Sequence, residues 1–217
     1  MWHPILAEYP GDINDIKWDY LSKDKYIEIE NILTDGITFF EPFIVDNFYP
    51  DDMFEEIKEI MSNKSQLSNQ YVASNINDSF IWSKSSYWKW EPNIVLPEKF
   101  ETFTINKVKE ITGINDIEAR YHMYAHHQIT EDSSKIPDLP LHIDWAPGAY
   151  MVDVKIDGNI DWEIVIGDKV FTCKPNQAII CQPQFDYHYR PKWNMENVSN
   201  YYKVLFFQMV NKNHWAL

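Results

Sequence analysis

The chain has 217 residues, 45% hydrophobic and 16% aromatic, enough to bury one core without disulfides or structural metals and too apolar for a disordered segment. Its longest apolar runs, Val204 to Phe207 and Ala178 to Cys181, fall far short of the ~20 residues a spanning helix needs, and Met1-Trp2-His3-Pro4 opens no signal peptide, so a cytoplasmic protein with no membrane partner is expected. The net charge is −14, residues 1–63 hold 15 acidic residues against 4 lysines, and no basic stripe follows, which argues against a nucleic-acid partner.

One domain is expected, in three parts: an arm (1–36), an entry strand with helices and a loop (37–116), and a β core (117–217). The arm scatters Trp2, Tyr9, Trp18, Tyr20 and Tyr26 among charges and reads as one or two short helices packed on the body. Phe39, Phe40, Phe43, Ile44 and Val45 predict a short strand ending at Asp46-Asn47. After Pro50, Met53, Ile57, Ile60 and Met61 recur at helical spacing and predict a helix over 51–63, its first turn acidic as the helix dipole favours. A second helix over 97–112 is opened by Pro97 and closed by Gly113, with Phe100, Ile105, Val108 and Ile111 as its apolar stripe. Residues 64–95 predict a long loop with short strands, whose Trp82, Tyr87, Trp88 and Trp90 either clamp a ligand or pack the loop down.

From Ile117 onward the texture is β. Strands are predicted over 118–128, 140–145, 149–156, 161–166, 169–173, 177–182, 186–190 and 201–210, separated by turn signals such as Asp157-Gly158, Gly167-Asp168 and Pro175-Asn176. Eight short strands so spaced indicate a sandwich or barrel. Cys173 and Cys181, with no Cys-X-X-Cys spacing, read as reduced core thiols filling it.

In Leu141-His142-Ile143-Asp144-Trp145, strand alternation puts His142 and Asp144 on one face, about 7 Å apart along the chain. His188 lies 46 residues beyond His142, after hairpins able to bring it alongside. Two histidines and one carboxylate form the facial triad suited to non-haem Fe(II), which leaves positions open for substrate and O2. A structural zinc site more often closes a fourth protein ligand. Asp186-X-His188 has the same spacing, so a mirror arrangement with His142 stands beside the first; His122, His126 and His127 are rival ligands, the last two facing opposite sides of any strand.

With these residues in view, the chain resembles the 2-oxoglutarate and Fe(II)-dependent oxygenases, in their prolyl-4-hydroxylase-like branch, over about residues 39–210. The resemblance rests on Pro42 to Tyr49 before an acidic helix, Glu118 to Tyr124, His142-X-Asp144, His188 and Tyr201 to Phe207. It implies a mainly β fold with flanking helices, the double-stranded β-helix or jelly roll. The implied enzyme is a dioxygenase using Fe(II), 2-oxoglutarate and O2, with ascorbate as an auxiliary reductant. It would hydroxylate a C–H bond, first of a prolyl residue in a peptide or protein, second of a free amino acid or other small molecule. The metal would be held by His142, Asp144 and His188, and the distal carboxylate of 2-oxoglutarate by Lys203 with the Tyr124 hydroxyl. Arg190, on the face of His188, is the alternative cation; Lys203 shares its own face with Tyr201, Leu205 and Phe207. Loop 64–95 and segment 129–139 are expected to bound the barrel mouth. In place of the family's Gly-Gly-Glu-Leu turn the chain has Ile160-Asp161-Trp162-Glu163-Ile164. Two other classes fit the residues: a cupin-like metal enzyme without 2-oxoglutarate, and a non-catalytic jelly-roll binding module.

Overall fold

The structure, a computed structural model, describes residues 17–18, 37–64, 88–92, 96–128, 139–144, 149–192 and 200–212; within them the side chains of 17–18, 63–64, 88–92, 120–126, 128, 139–140 and 142–143 lie outside the description. In chain order the elements are β1 (Lys17–Trp18), β2 (Phe43–Val45), α1 (Asp51–Lys64), β3 (Trp88–Pro92), α2 (Glu98–Thr112), β4 (Ile117–Gln128), β5 (Leu139–Ile143), β6 (Tyr150–Gly158), β7 (Ile164–Ile166), β8 (Lys169–Phe171), β9 (Ala178–Cys181), β10 (His188–Arg190) and β11 (Tyr201–Asn211). The helices of the arm, Trp82, Tyr87 and the segment 129–138 fall outside the described residues.

The strands form two sheets. The larger has the order β2-β9-β6-β11-β4-β3 and the smaller β1-β5-β10-β7-β8. From β4 onward the chain passes repeatedly between them, and β11 pairs antiparallel with both β4 and β6 through the centre of the larger sheet. This is the double-stranded β-helix expected from the sequence. Among the described residues no helix is long and apolar enough to cross a membrane.

Two apolar layers hold it together. On the outer face of the larger sheet, Val152, Val154, Leu205, Phe207 and Met209 pack with Phe54, Ile57 and Met61 of α1 and Phe100 and Val108 of α2. Between the sheets, Met151, Ile179, Cys181 and Phe206 meet Ile164, Ile166 and Phe171. The larger sheet thus buries apolar side chains on both faces, and β9 and the middle of β11 read as near-continuous hydrophobic runs, while β6 alternates apolar and charged residues.

The helices follow their sequence signals, with two local differences. Pro97 occupies the N-cap of α2 rather than its first turn, and Ile111, in the last turn, is exposed. Gly113 closes the helix in the left-handed conformation (φ 75°), donating its N–H to Lys109 O at 2.9 Å. A buried bond of 2.7 Å joins Tyr49 Oη and Thr104 Oγ1, fixing α2 to the end of the entry segment.

Phe39 and Phe40 do not extend β2. Their place is set by Gln182, whose Oε1 accepts from Phe40 N at 2.9 Å and whose Nε2 donates to Thr38 O at 3.2 Å. Asn176 (φ 64°) does the same beyond β2: its Oδ1 accepts from Tyr49 N (2.9 Å), its Nδ2 donates to Tyr49 O (2.8 Å), and its own carbonyl takes Phe48 N–H (2.8 Å).

Candidate functional site

His188 opens β10 and lies directly opposite His142 of β5 in antiparallel register. Residues so paired share a face of the sheet. Asp144 follows β5 immediately, its N–H bonded to Pro183 O at 2.8 Å, which ties the end of β5 to the β9–β10 connection. These backbone constraints bring His188 Nε2 to 3.7 Å from Asp144 Oδ1.

The orientation of His188 is set by its other nitrogen. Nδ1 lies 2.9 Å from Asp186 O, and since a carbonyl only accepts, Nδ1 donates there and Nε2 is left facing Asp144. An imidazole held through Nδ1 with a carboxylate near Nε2 offers two of the donor types that metal sites use. The His188 side chain is 5% exposed and that of Asp144 18%, so the carboxylate lies at the rim and the imidazole beneath it. Among the described residues no three His, Cys, Asp or Glu side chains converge. The third position that the register supplies is His142, whose side chain is outside the description.

Asp186, the rival carboxylate, is half-buried, and desolvation pushes its pKa up to about 7; its Oδ2 accepts from Gln182 N at 3.4 Å. Of the two aspartates it is Asp144 that stands beside Nε2, while Asp186 orients the ring through its backbone. His127 lies elsewhere, edge-on to Trp162 with ring centroids 4.8 Å apart. The side chains of His122, His126 and Tyr124 are outside the description; their backbones pair with Phe207, Lys203 and Leu205 respectively.

The basic residues separate clearly. Arg190, two residues after His188 and on its side of β10, is buried between the sheets. Its Nη2 donates to Asp153 Oδ2 of β6 at 3.0 Å and its Nη1 to Trp162 O at 2.9 Å. The rings of Trp162 and Tyr202 each lie 5.0 Å from the guanidinium carbon. Lys155, two residues along β6 from Asp153, is also buried, with Nζ donating to Ile160 O at 2.9 Å and 3.6 Å from Asp161 Oδ1. Burial lowers its pKa, against the attraction of Asp161. Burial raises the pKa of Asp153, and Arg190 opposes the shift.

Lys203 keeps the neighbours that strand parity gave it, but theirs is the outer face. Leu205 and Phe207 pack toward the helices, while Tyr202 and Phe206 point between the sheets. Lys203 Nζ lies 3.6 Å from Asp157 Oδ2 and 5.3 Å from the Tyr201 ring centroid. Asp153 and Lys155 escape a reading of the sequence because Val152-Asp153-Val154-Lys155-Ile156 looks like a strand with a solvated face. The available signal was the shared parity of two opposite charges facing a strand that carries one of only two arginines.

No protein-family model matches the chain, and no curated protein matches it. Solved structures match in fold. An oxidoreductase of the 2OG-Fe(II) oxygenase family from Burkholderia pseudomallei superposes with a TM-score of 0.53 at 9% identity, covering 92% of this chain and 96% of its own. HygX from Streptomyces hygroscopicus, with nickel and 2-oxoglutarate bound, gives 0.53 at 8% identity and covers 90% of each chain. A Pseudomonas putida prolyl-4-hydroxylase gives 0.52 at 7% identity, covering 82% of this chain and 97% of its own. The likeness is one of fold, the jelly roll, and the prolyl-4-hydroxylase branch is not singled out.

Proposed function

We propose that this protein is an Fe(II)- and 2-oxoglutarate-dependent dioxygenase that hydroxylates a C–H bond, with a prolyl residue of a peptide or protein as the first substrate class. The observation that carries the reading is the approach of Asp144 to His188 Nε2, with the ring held through Nδ1 and His142 opposite His188 in register. His142, Asp144 and His188 would hold the metal. Bound there, iron would supply the redox chemistry that couples oxidation of the 2-oxo acid to hydroxylation: 2-oxoglutarate, O2 and R–H give succinate, CO2 and R–OH.

The chain's own part is positioning. The Asp186 carbonyl holds the His188 ring through Nδ1, and Pro183 fixes the backbone of Asp144. For the distal carboxylate of the co-substrate, the candidates are Arg190, Lys203 and Tyr124. Arg190 is favoured, because it alternates with His188 on the same side of β10, about 7 Å along the strand. A free amino acid or other small molecule is the second substrate class.

The test is succinate formation from 2-oxoglutarate by the purified protein, with and without Fe(II), against peptide and amino-acid libraries. Succinate that depends on both Fe(II) and 2-oxoglutarate supports the reading. A bound metal with no consumption of 2-oxoglutarate favours the cupin-like alternative, and the absence of metal binding favours a binding module.

A further inference from the structure

The Arg190 guanidinium is already supplied with partners by the protein. Asp153 and the Trp162 carbonyl take hydrogen bonds along its edge, and the rings of Trp162 and Tyr202 lie against it. Asp153 and Arg190 come from opposite sheets, both are buried, and the ion pair spans the space between them two residues along β10 from His188. The pair is neutral as a unit. A second carboxylate arriving at Arg190 therefore meets a position that an internal carboxylate holds.

We propose that Asp153 is a resident competitor for the cation that a dicarboxylic co-substrate would use, and that it thereby sets the selectivity of the site among 2-oxo acids. The inference rests on the reading above, that a 2-oxo acid binds at the metal beside His188. While Asp153 holds Arg190, the second carboxylate of 2-oxoglutarate gains little over an uncharged tail. Lys155 does not remove the competition, since its ammonium is turned to Ile160 O and Asp161. Asparagine at position 153 keeps the shape and one hydrogen bond to Arg190 but gives up the charge, leaving the guanidinium's charge for the ligand.

The experiment is calorimetric titration of the Mn(II)-loaded protein, without turnover, with 2-oxoglutarate and with 2-oxopentanoate, which lacks the second carboxylate. Wild-type protein is expected to bind the two acids within about threefold of each other, and Asp153→Asn to tighten 2-oxoglutarate by about tenfold or more while 2-oxopentanoate changes less than about threefold. Wild-type preference for 2-oxoglutarate with no gain in Asp153→Asn overturns the proposal and leaves the general reading standing. A parallel loss of affinity for both acids in Asp153→Asn also overturns it, as does a gain shared equally by both. Failure of the Mn(II)-loaded wild-type protein and variant to bind either acid overturns the proposal and the dioxygenase reading together.

Discussion

Replacing Arg190 with Met is the sharpest perturbation of the space between the sheets. At 3.0 Å and an effective dielectric constant of about 20, the attraction between Arg190 and Asp153 is about 5 kcal/mol, and the cost of burying both charges offsets much of it. Arg190→Met leaves Asp153 buried without its cation and Trp162 O without its donor, an expected loss of about 4 kcal/mol. Asp153→Leu strands the guanidinium instead and is expected to cost about 3 kcal/mol. The double variant removes both charges together and should cost no more than either single change, because apolar groups of similar volume replace a buried pair at little net loss. Urea unfolding of the four proteins closes the cycle. Losses that add within about 0.5 kcal/mol would mean the two residues act independently and would refute the argument.

Further outcomes are expected at other positions. His142→Ala, Asp144→Ala and His188→Ala should each weaken Mn(II) or Fe(II) binding about 100-fold with the circular dichroism spectrum unchanged; full affinity in Asp144→Ala would transfer the carboxylate role to Asp186. Burial pushes Cys173 up to about 12 and Cys181 well above its ordinary value, so no thiolate forms in the folded protein as pH rises through neutrality. Ellman's reagent at about pH 8 should label neither cysteine until denaturant is added, and rapid native labelling would contradict their burial. Gly158 (φ 151°) has backbone where a Cβ would stand, with Tyr201 O at 2.9 Å, whereas Gly113 (φ 75°) has nothing within 4 Å. Gly158→Ala should therefore lower stability by about 3 kcal/mol and Gly113→Ala by about 1, read from thermal melts. Asn176→Gly keeps the left-handed backbone but gives up both bonds to Tyr49, an expected loss of about 2 kcal/mol by urea unfolding.

The strands of the core were legible because turn residues punctuate them, and α1 and α2 because their apolar residues recur at helical spacing. His142, Asp144 and His188 were legible as candidates through period-two parity, which needs no knowledge of the opposing sheet. Parity alone does not say which face of β11 looks inward. With Leu205 and Phe207 packed on helices and Phe206 packed between the sheets, the strand carries apolar residues on both sides, so Lys203 is grouped correctly with its neighbours yet lies on the face opposite the candidate ligands. Asp153 was hidden for the converse reason. A charge in an alternating strand signals solvent unless its partner is known, and that partner lies 37 residues away on the other sheet. Phe39 and Phe40 have the hydrophobicity of a strand, but the Gln182 side chain meets Phe40 N and Thr38 O on either side of Phe39, a long-range contact that local pattern does not report.

The pairing of β1 with β5 bears on how such a protein can be handled and how it can change. Lys17 and Trp18 run parallel to His142 and Ile143, so two residues from the acidic arm form the border of the very strand that carries a candidate ligand. A shortened version starting at the entry strand would expose that border to water and to other chains, and a loss of metal affinity in it would implicate the arm without any ligand having been touched. By the same route, substitutions in the arm give natural variation a means of adjusting β5 while His142, Asp144 and His188 stay fixed.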